Sequence, residues 1–169
     1  MAIRRSDKQR SVLPVNDPAV ALAKARSFCA YQERCRTEVT IRMRSFGLSR
    51  EQAEQVIEKL EEEDFLNDER FATIYAGSKF RILRWGKMKI KAGLRSKGVA
   101  DILITQALES IDEEQYLKCL HELFDAKLRT LKGVNDDRVV KQKVYAYLAS
   151  KGFEENLIFQ ELNKRKNND

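Results

Sequence analysis

The sequence predicts an all-α chain built as three tandem three-helix repeats, and three observations predict it. Only 7 Gly and 2 Pro occur in 169 residues, so helix breakers are scarce while Leu, Ala, Glu, Lys and Arg are plentiful. Apolar residues recur at helical spacing between start and stop signals. Three glycines, Gly47, Gly98 and Gly152, stand 51 and 54 positions apart in one shared apolar register. Four residues before them are Met43, Leu94 and Leu148; eight before are Val39, Ile90 and Val144. Six after are Ala53, Ile104 and Ile158; ten after are Ile57, Leu108 and Leu162. A helical hairpin cannot bury its own apolar face, so a period of about 50 residues reads as a stacked array.

The elements follow in order. Residues 1–15 carry Arg4, Arg5, Lys8 and Arg10 among few apolar residues and read as a disordered basic tail. Repeat 1 spans 16–65. Asp17-Pro18 caps and opens its first helix, with Leu22, Ala25, Phe28 and Cys29 inward, ending near Arg34–Arg36. A second helix from Thr37 carries Val39, Met43 and Phe46 and stops at Gly47. Ser49 and Gln52 form a capping box for a third, with Ala53, Val56, Ile57 and Leu60 inward and an acidic outer face from Glu51 to Asp64.

Repeat 2, residues 66–111, repeats the plan with helices over about 67–83, 86–97 and 100–110. Phe71, Ile74, Tyr75, Ser78 and Ile82 form the expected stripe of its first helix. Repeat 3 spans 112–169. Asp112 caps a helix with Leu117, Leu120, Leu123, Phe124 and Leu128, closed by Gly133. Asn135 or Asp136 starts the next, with Val140, Val144, Tyr147 and Leu148; the last helix carries Leu157, Ile158 and Leu162.

The formal charge of +6 permits nucleic acid or an acidic protein as partner and selects neither. No apolar run reaches the ~20 residues of a membrane span, and the basic start has no apolar stretch behind it to make a secretory signal. A cytoplasmic protein is expected. Cys29, Cys35 and Cys119 lack metal-type spacing and read as buried, reduced side chains. His121 is the single histidine, two positions from Cys119 and therefore on another helix face. With no phosphate-cradling glycine loop and no metal spacing, neither an enzyme nor a cofactor is expected.

The most patterned stretch is also the most basic. Between Lys79 and Lys97 lie eight cations, Lys79, Arg81, Arg84, Lys87, Lys89, Lys91, Arg95 and Lys97, and no acid. Lys87, Lys91 and Arg95 fall at i, i+4, i+8 and predict a ridge facing phosphate or acidic protein. Trp85 among these cations reads as a wedge at the Gly86 corner or a stacking platform.

Leu66-Asn67-Asp68-Glu69-Arg70-Phe71-Ala72, then Tyr75, then Gly86-x-x-Lys89-Ile90-x-x-Gly93-Leu94-x-x-Lys97-Gly98-Val99 resembles the signature of the RecX family, regulators of the RecA recombinase. Arg36-Thr37-Glu38 is similar to the start of that family's first repeat. Asn67, Lys89 and Gly93 stand where the family pattern has Asp, Arg and Glu. Gly93 puts in doubt any acidic contact from that position. Asp68, Arg70, Phe71, Tyr75, Gly86, Ile90, Leu94 and Gly98 are the motif residues, with structural roles. The resemblance implies an elongated, curved array that binds RecA–DNA filaments in the helical groove. It implies inhibition of filament growth, ATP hydrolysis and strand exchange, hence a place in recombination, DNA repair and the SOS response. A monomer with weak or filament-dependent, non-sequence-specific DNA binding is expected. Two alternatives stand beside it: a stand-alone helical DNA-binding protein or transcription factor, and a purely protein-binding solenoid. The second helix of repeat 2 has no Asn or Gln to read bases.

Overall fold

The computed structural model describes residues 16–166, with side chains through Lys164. The expected basic tail of residues 1–15 lies outside the described residues. Among those described there are nine helices and no strand: α1 (Pro18–Tyr31), α2 (Arg36–Ser45), α3 (Arg50–Glu62), α4 (Asp68–Leu83), α5 (Lys87–Ser96), α6 (Asp101–Glu109), α7 (Glu113–Thr130), α8 (Asp137–Lys151) and α9 (Glu155–Lys166).

The start signals act as their chemistry dictates. Asp17 accepts a hydrogen bond from the Ala19 amide at 2.9 Å. Ser49 and Gln52 exchange theirs at 3.2 and 2.9 Å. Asp112 accepts from the Gln115 amide at 2.8 Å and Asp136 from the Arg138 amide at 2.9 Å. Each such cap stabilises its helix by roughly 1 kcal/mol. α1 stops at Tyr31, short of the expected Arg34–Arg36, because Gln32 turns extended. The Arg34 guanidinium then lies over the Phe28 ring, 4.1 Å from its centroid.

The three register glycines all take left-handed backbone, with φ of +88°, +76° and +90° at Gly47, Gly98 and Gly152. After each, the next amide reaches back to the carbonyl of the register residue: Leu48 to Met43, Val99 to Leu94, Phe153 to Leu148, at 3.4, 3.2 and 3.2 Å. Only a residue free of a Cβ clash closes a helix this way at no steric cost. Met43, Leu94, Leu148, Val39, Ile90 and Val144 have no exposed surface. The residues following the glycines, Leu48, Val99 and Phe153, are buried too. Burial of each such side chain stabilises by about 1.5–3 kcal/mol.

The chain divides into two compact units after Asn67. In the first, α3 packs on both α1 and α2 around Ala21, Ala25, Val39, Met43, Ile57 and Leu60. Much of the acidic face of α3 is answered by arginines within the same unit. Arg36 pairs with Glu54 and Glu61, and Arg26 meets Glu63 at 2.6 Å. The second unit holds α4–α6 and α7–α9.

Some inward positions differ from the expected stripes. On α4 the buried residues are Phe71, Ala72, Ala76 and Phe80, while Ile74 and Ile82 are 46% and 76% exposed. α4 packs most extensively on α6, and Ala72 and Ala76 admit a close helix where larger side chains would hold it away. Tyr75 is half-buried, not core. On α7 the inward residue is Tyr116, and Leu117 is exposed. Leu108, Leu128, Tyr147 and Leu157 are half-buried. All three cysteines are free and buried. Among the described residues no helix is long and apolar enough to cross a membrane, and no cluster of His, Cys, Asp and Glu could hold a metal ion.

Candidate partner-binding surface

The basic segment occupies the end of α4, a three-residue corner and α5. α4 runs out at Leu83, and Arg84 turns the chain with a φ of +54°. The corner exists because of Gly86. Its φ is an ordinary −74°, so the glycine is required by proximity: a Cβ there would lie 2.2 Å from the Gly152 carbonyl carbon and oxygen. The converse also holds. A Cβ on Gly152 would lie 2.2 Å from Lys89 Cβ and 2.6 Å from its amide nitrogen.

This contact joins the start of α5 to the end of α8. A helix N-terminus carries amides with no partner in its own helix, and a C-terminus carries such carbonyls. Here they meet. The Gly86 amide donates to the Lys151 carbonyl at 2.9 Å and the Met88 amide to the Gly152 carbonyl at 3.0 Å. Lys89 Nζ donates to the Ser150 carbonyl at 3.0 Å. The Lys87 amide donates to the Tyr116 hydroxyl at 2.9 Å, and that hydroxyl donates onward to Glu154. The opposed helix ends also bring dipole charges of opposite sign together. Tyr116 is fully buried, its ring 5.7 Å from that of Phe80 and 5.2 Å from that of Phe153. Burial, with the hydrogen bond to Glu154, pushes its phenol far above the ordinary range. The sequence reading missed Tyr116; an aromatic four positions before Leu120 was its only signal.

Tertiary structure supplies acids that the basic run lacks in sequence. Lys87 Nζ meets Glu113 at 2.7 Å, Arg84 pairs with Glu122, and Arg95 holds Asp101 through a two-point contact at 2.8 and 3.0 Å. The hydrogen bonds from Arg95 hold the Asp101 carboxyl below its ordinary value. Arg84 Nε also donates to Cys119 Sγ at 3.3 Å, and with Glu122 this raises the guanidinium above its ordinary value.

Other cations rest on rings. Lys79 Nζ lies 5.2 Å from both the Tyr75 and Trp85 centroids, and Lys89 Nζ lies 4.9 Å from Trp85. Lys97 Nζ lies 5.8 Å from Phe71 and 6.0 Å from Tyr75. Half-buried Trp85 thus has two lysine ammonium groups against its ring. The expected row also divides: the Lys87 side chain is only 21% exposed and committed to Glu113, Arg95 binds Asp101, and Lys91 makes no ion pair among the described residues. Exchanging the whole row for acids would therefore disturb the fold as well as the surface, contrary to an unopposed ridge.

The remaining motif residues are mostly packing groups. Phe71, Ile90 and Leu94 are buried. Gly93 accommodates Tyr75, whose hydroxyl would lie 2.4 Å from a Cβ there, so the glycine that departs from the family pattern seats α4 against α5. Asp68 and Arg70 open α4, half-buried. Cys119 and His121 do face apart: the first is buried against Arg84, and the second is exposed beside Glu161.

Comparison with known proteins places this arrangement in a lineage. Residues 67–108 match the family model for the second three-helix domain of RecX, and residues 113–162 match that for the third. The chain is 30% identical over 149 residues to the regulatory protein RecX of Prosthecochloris aestuarii, covering 88% of this chain and 95% of that one. It is 29% identical over 150 residues to the regulatory protein RecX of Clostridium acetobutylicum, covering 87% and 69%. The crystal structure of RecX from Lactobacillus salivarius superposes with a TM-score of 0.77 at 26% identity, over 86% of this chain and 96% of that one.

Proposed function

This chain belongs to the RecX family of regulatory proteins, and on that premise we propose that it binds RecA–DNA filaments in their helical groove and restrains them. The observation that carries the reading is the match to a regulatory protein RecX over nearly that protein's whole length. Occupancy is the mechanism. A helical array seated across neighbouring protomers hinders the relative motions that ATP turnover requires, and it blocks surface that an incoming protomer or second duplex needs. In this reading it acts as a cytoplasmic, monomeric, non-enzymatic inhibitor in recombination, repair and the SOS response. The division into a tail (1–15) and repeats at 16–65, 66–111 and 112–169 belongs to the same proposal.

The Lys79–Lys97 segment supplies the electrostatic contact, and Lys91 and Arg81 make no ion pair among the described residues. Lys87 and Arg95 are in ion pairs with Glu113 and Asp101, contacts worth under about 1 kcal/mol at a surface, which a denser anionic surface can open. DNA contact is weak, filament-dependent and without sequence preference. The test is ATP hydrolysis by a cognate RecA filament on single-stranded DNA as this protein is titrated in, with co-sedimentation alongside. Turnover should fall as the protein enters the pellet. Unchanged turnover with no co-sedimentation overturns the proposal.

A further inference from the structure

We propose that the cleft between α4 and α7 is a receptor for an acidic side chain on a protein partner. This rests on the reading that the chain engages a protein filament, and it assigns one part of the molecule to protein rather than DNA. The cleft has a volume of about 590 Å³ and is lined by Phe80, Arg81 and Arg84 from one side and Gln115, Lys118, Cys119 and Glu122 from α7. Arg84 is already committed to Glu122 and Cys119. That pairing neutralises the one acid in the wall. Arg81 and Lys118 are both exposed and have no hydrogen bond or ion pair among the described residues. The cleft therefore presents two uncompensated cations and an amide around one concavity.

Gly77 adds a second observation. It stands within α4 at ordinary helical backbone, where glycine is disfavoured against alanine. The nearest atoms to a Cβ placed there are those of the Arg81 guanidinium, at 2.8 Å. With no side chain on Gly77, the exposed Arg81 guanidinium lies back against the helix one turn before it.

The chemistry favours a carboxylate over a nucleic-acid strand. A strand brings successive phosphates and exposed bases, and it is held by a track of cations with aromatic platforms. The cleft has Glu122 in its wall and its one aromatic, Phe80, is buried. A single Asp or Glu side chain needs only the Arg81 fork and the Lys118 ammonium.

The test is a titration of the isotope-labelled full chain by NMR with a hexaglutamate peptide and, separately, a short oligothymidylate. Peptide should shift the amides around Arg81 and Lys118 first. The double variant Arg81→Ser/Lys118→Ser should bind it at least about tenfold more weakly, with an unchanged thermal melt. Peptide shifts spread over other basic surface and insensitive to the double variant overturn the assignment, as does tighter binding of oligothymidylate at the same amides. Filament co-sedimentation separates the two readings. Equal pelleting of both forms overturns the cleft and leaves the filament reading intact. If the parent chain itself fails to pellet, the filament reading falls and the peptide titration alone decides the cleft.

Discussion

Gly98 and Gly152 close their helices with the same turn, yet one is exposed and the other buried under a neighbouring helix. Both have left-handed backbone, both sit four residues after a buried leucine, and both precede a buried apolar residue. Only Gly152 receives the start of α5, with its backbone so near Lys89 that no side chain fits. A periodic local signal thus fixes the turn but not its surroundings. At exposed Gly98 glycine answers a backbone need, and at Gly152 it answers a backbone need and a packing need together.

The largest effect should come where the two turns are equivalent. Leu94→Asp and Leu148→Asp each bury an unpaired carboxylate in a fully enclosed position, costing several kcal/mol. Both should abolish cooperative melting of the second unit by circular dichroism. A large loss from one and not the other would break the register equivalence.

The glycines should then separate. Gly98→Ala, at an exposed position, should incur the left-handed penalty, about 1 kcal/mol. Gly152→Ala adds overpacking against Lys89, for a total of roughly 2–4 kcal/mol. At about 2–4 °C per kcal/mol for a chain of this size, the melting temperatures of the two variants should differ by several degrees. Equal losses would show that the α5–α8 contact yields readily.

Tyr116→Phe probes the same junction more gently. It keeps the ring between Phe80 and Phe153 but leaves the Lys87 amide without its acceptor. A loss of about 1–2 kcal/mol is expected. Amide hydrogen exchange should accelerate at Lys87 and Met88 and stay unchanged at Lys97 and Gly98, at the other end of α5. Uniform acceleration would mean that the hydroxyl supports the whole unit and not the junction.

These contrasts explain what the sequence made legible. Helix existence, the Asp17, Ser49, Asp112 and Asp136 caps and the glycine register are local: each depends on residues within a few positions, so they can be read along the chain. Tyr116 was missed because its role is set by Lys87 and Glu154, residues 29 and 38 positions away. The ion pairs of the basic run were missed for the same reason, since Glu113 and Glu122 belong to α7. The α4 face was misplaced because Ile74 and Ile82 outrank alanine in hydrophobicity, while close packing against α6 selects the alanines. Trp85 was correctly placed among cations, but its two lysine neighbours come together only when the chain turns at Arg84.

The smallest effect concerns a titrating contact on α7. The only histidine in the chain, His121, has Nδ1 3.0 Å from Glu161 of α9 and Nε2 3.5 Å from Asp125. The Glu161 hydrogen bond, partly opposed by desolvation and aided by Asp125, raises the imidazole above its ordinary value. Burial pushes the Glu161 carboxyl up, but hydrogen bonds from Lys164 and His121 outweigh it and hold the group below its ordinary value. The folded state therefore binds the His121 proton more tightly than the unfolded chain does. The stabilisation is fully present below the unfolded imidazole value near 6.5 and is lost as pH rises through the higher folded value. His121→Gln should lower the urea midpoint measurably at mildly acid pH and make little difference in mildly alkaline solution. His121 is largely exposed, so water and salt screen the contact, and its stability increment should shrink further with added salt. Gly98→Ala should lower the midpoint equally at both pH values, since it involves no titrating group. A His121→Gln deficit that persists in alkaline solution would identify the contact as neutral hydrogen bonding between α7 and α9, with no contribution from the proton.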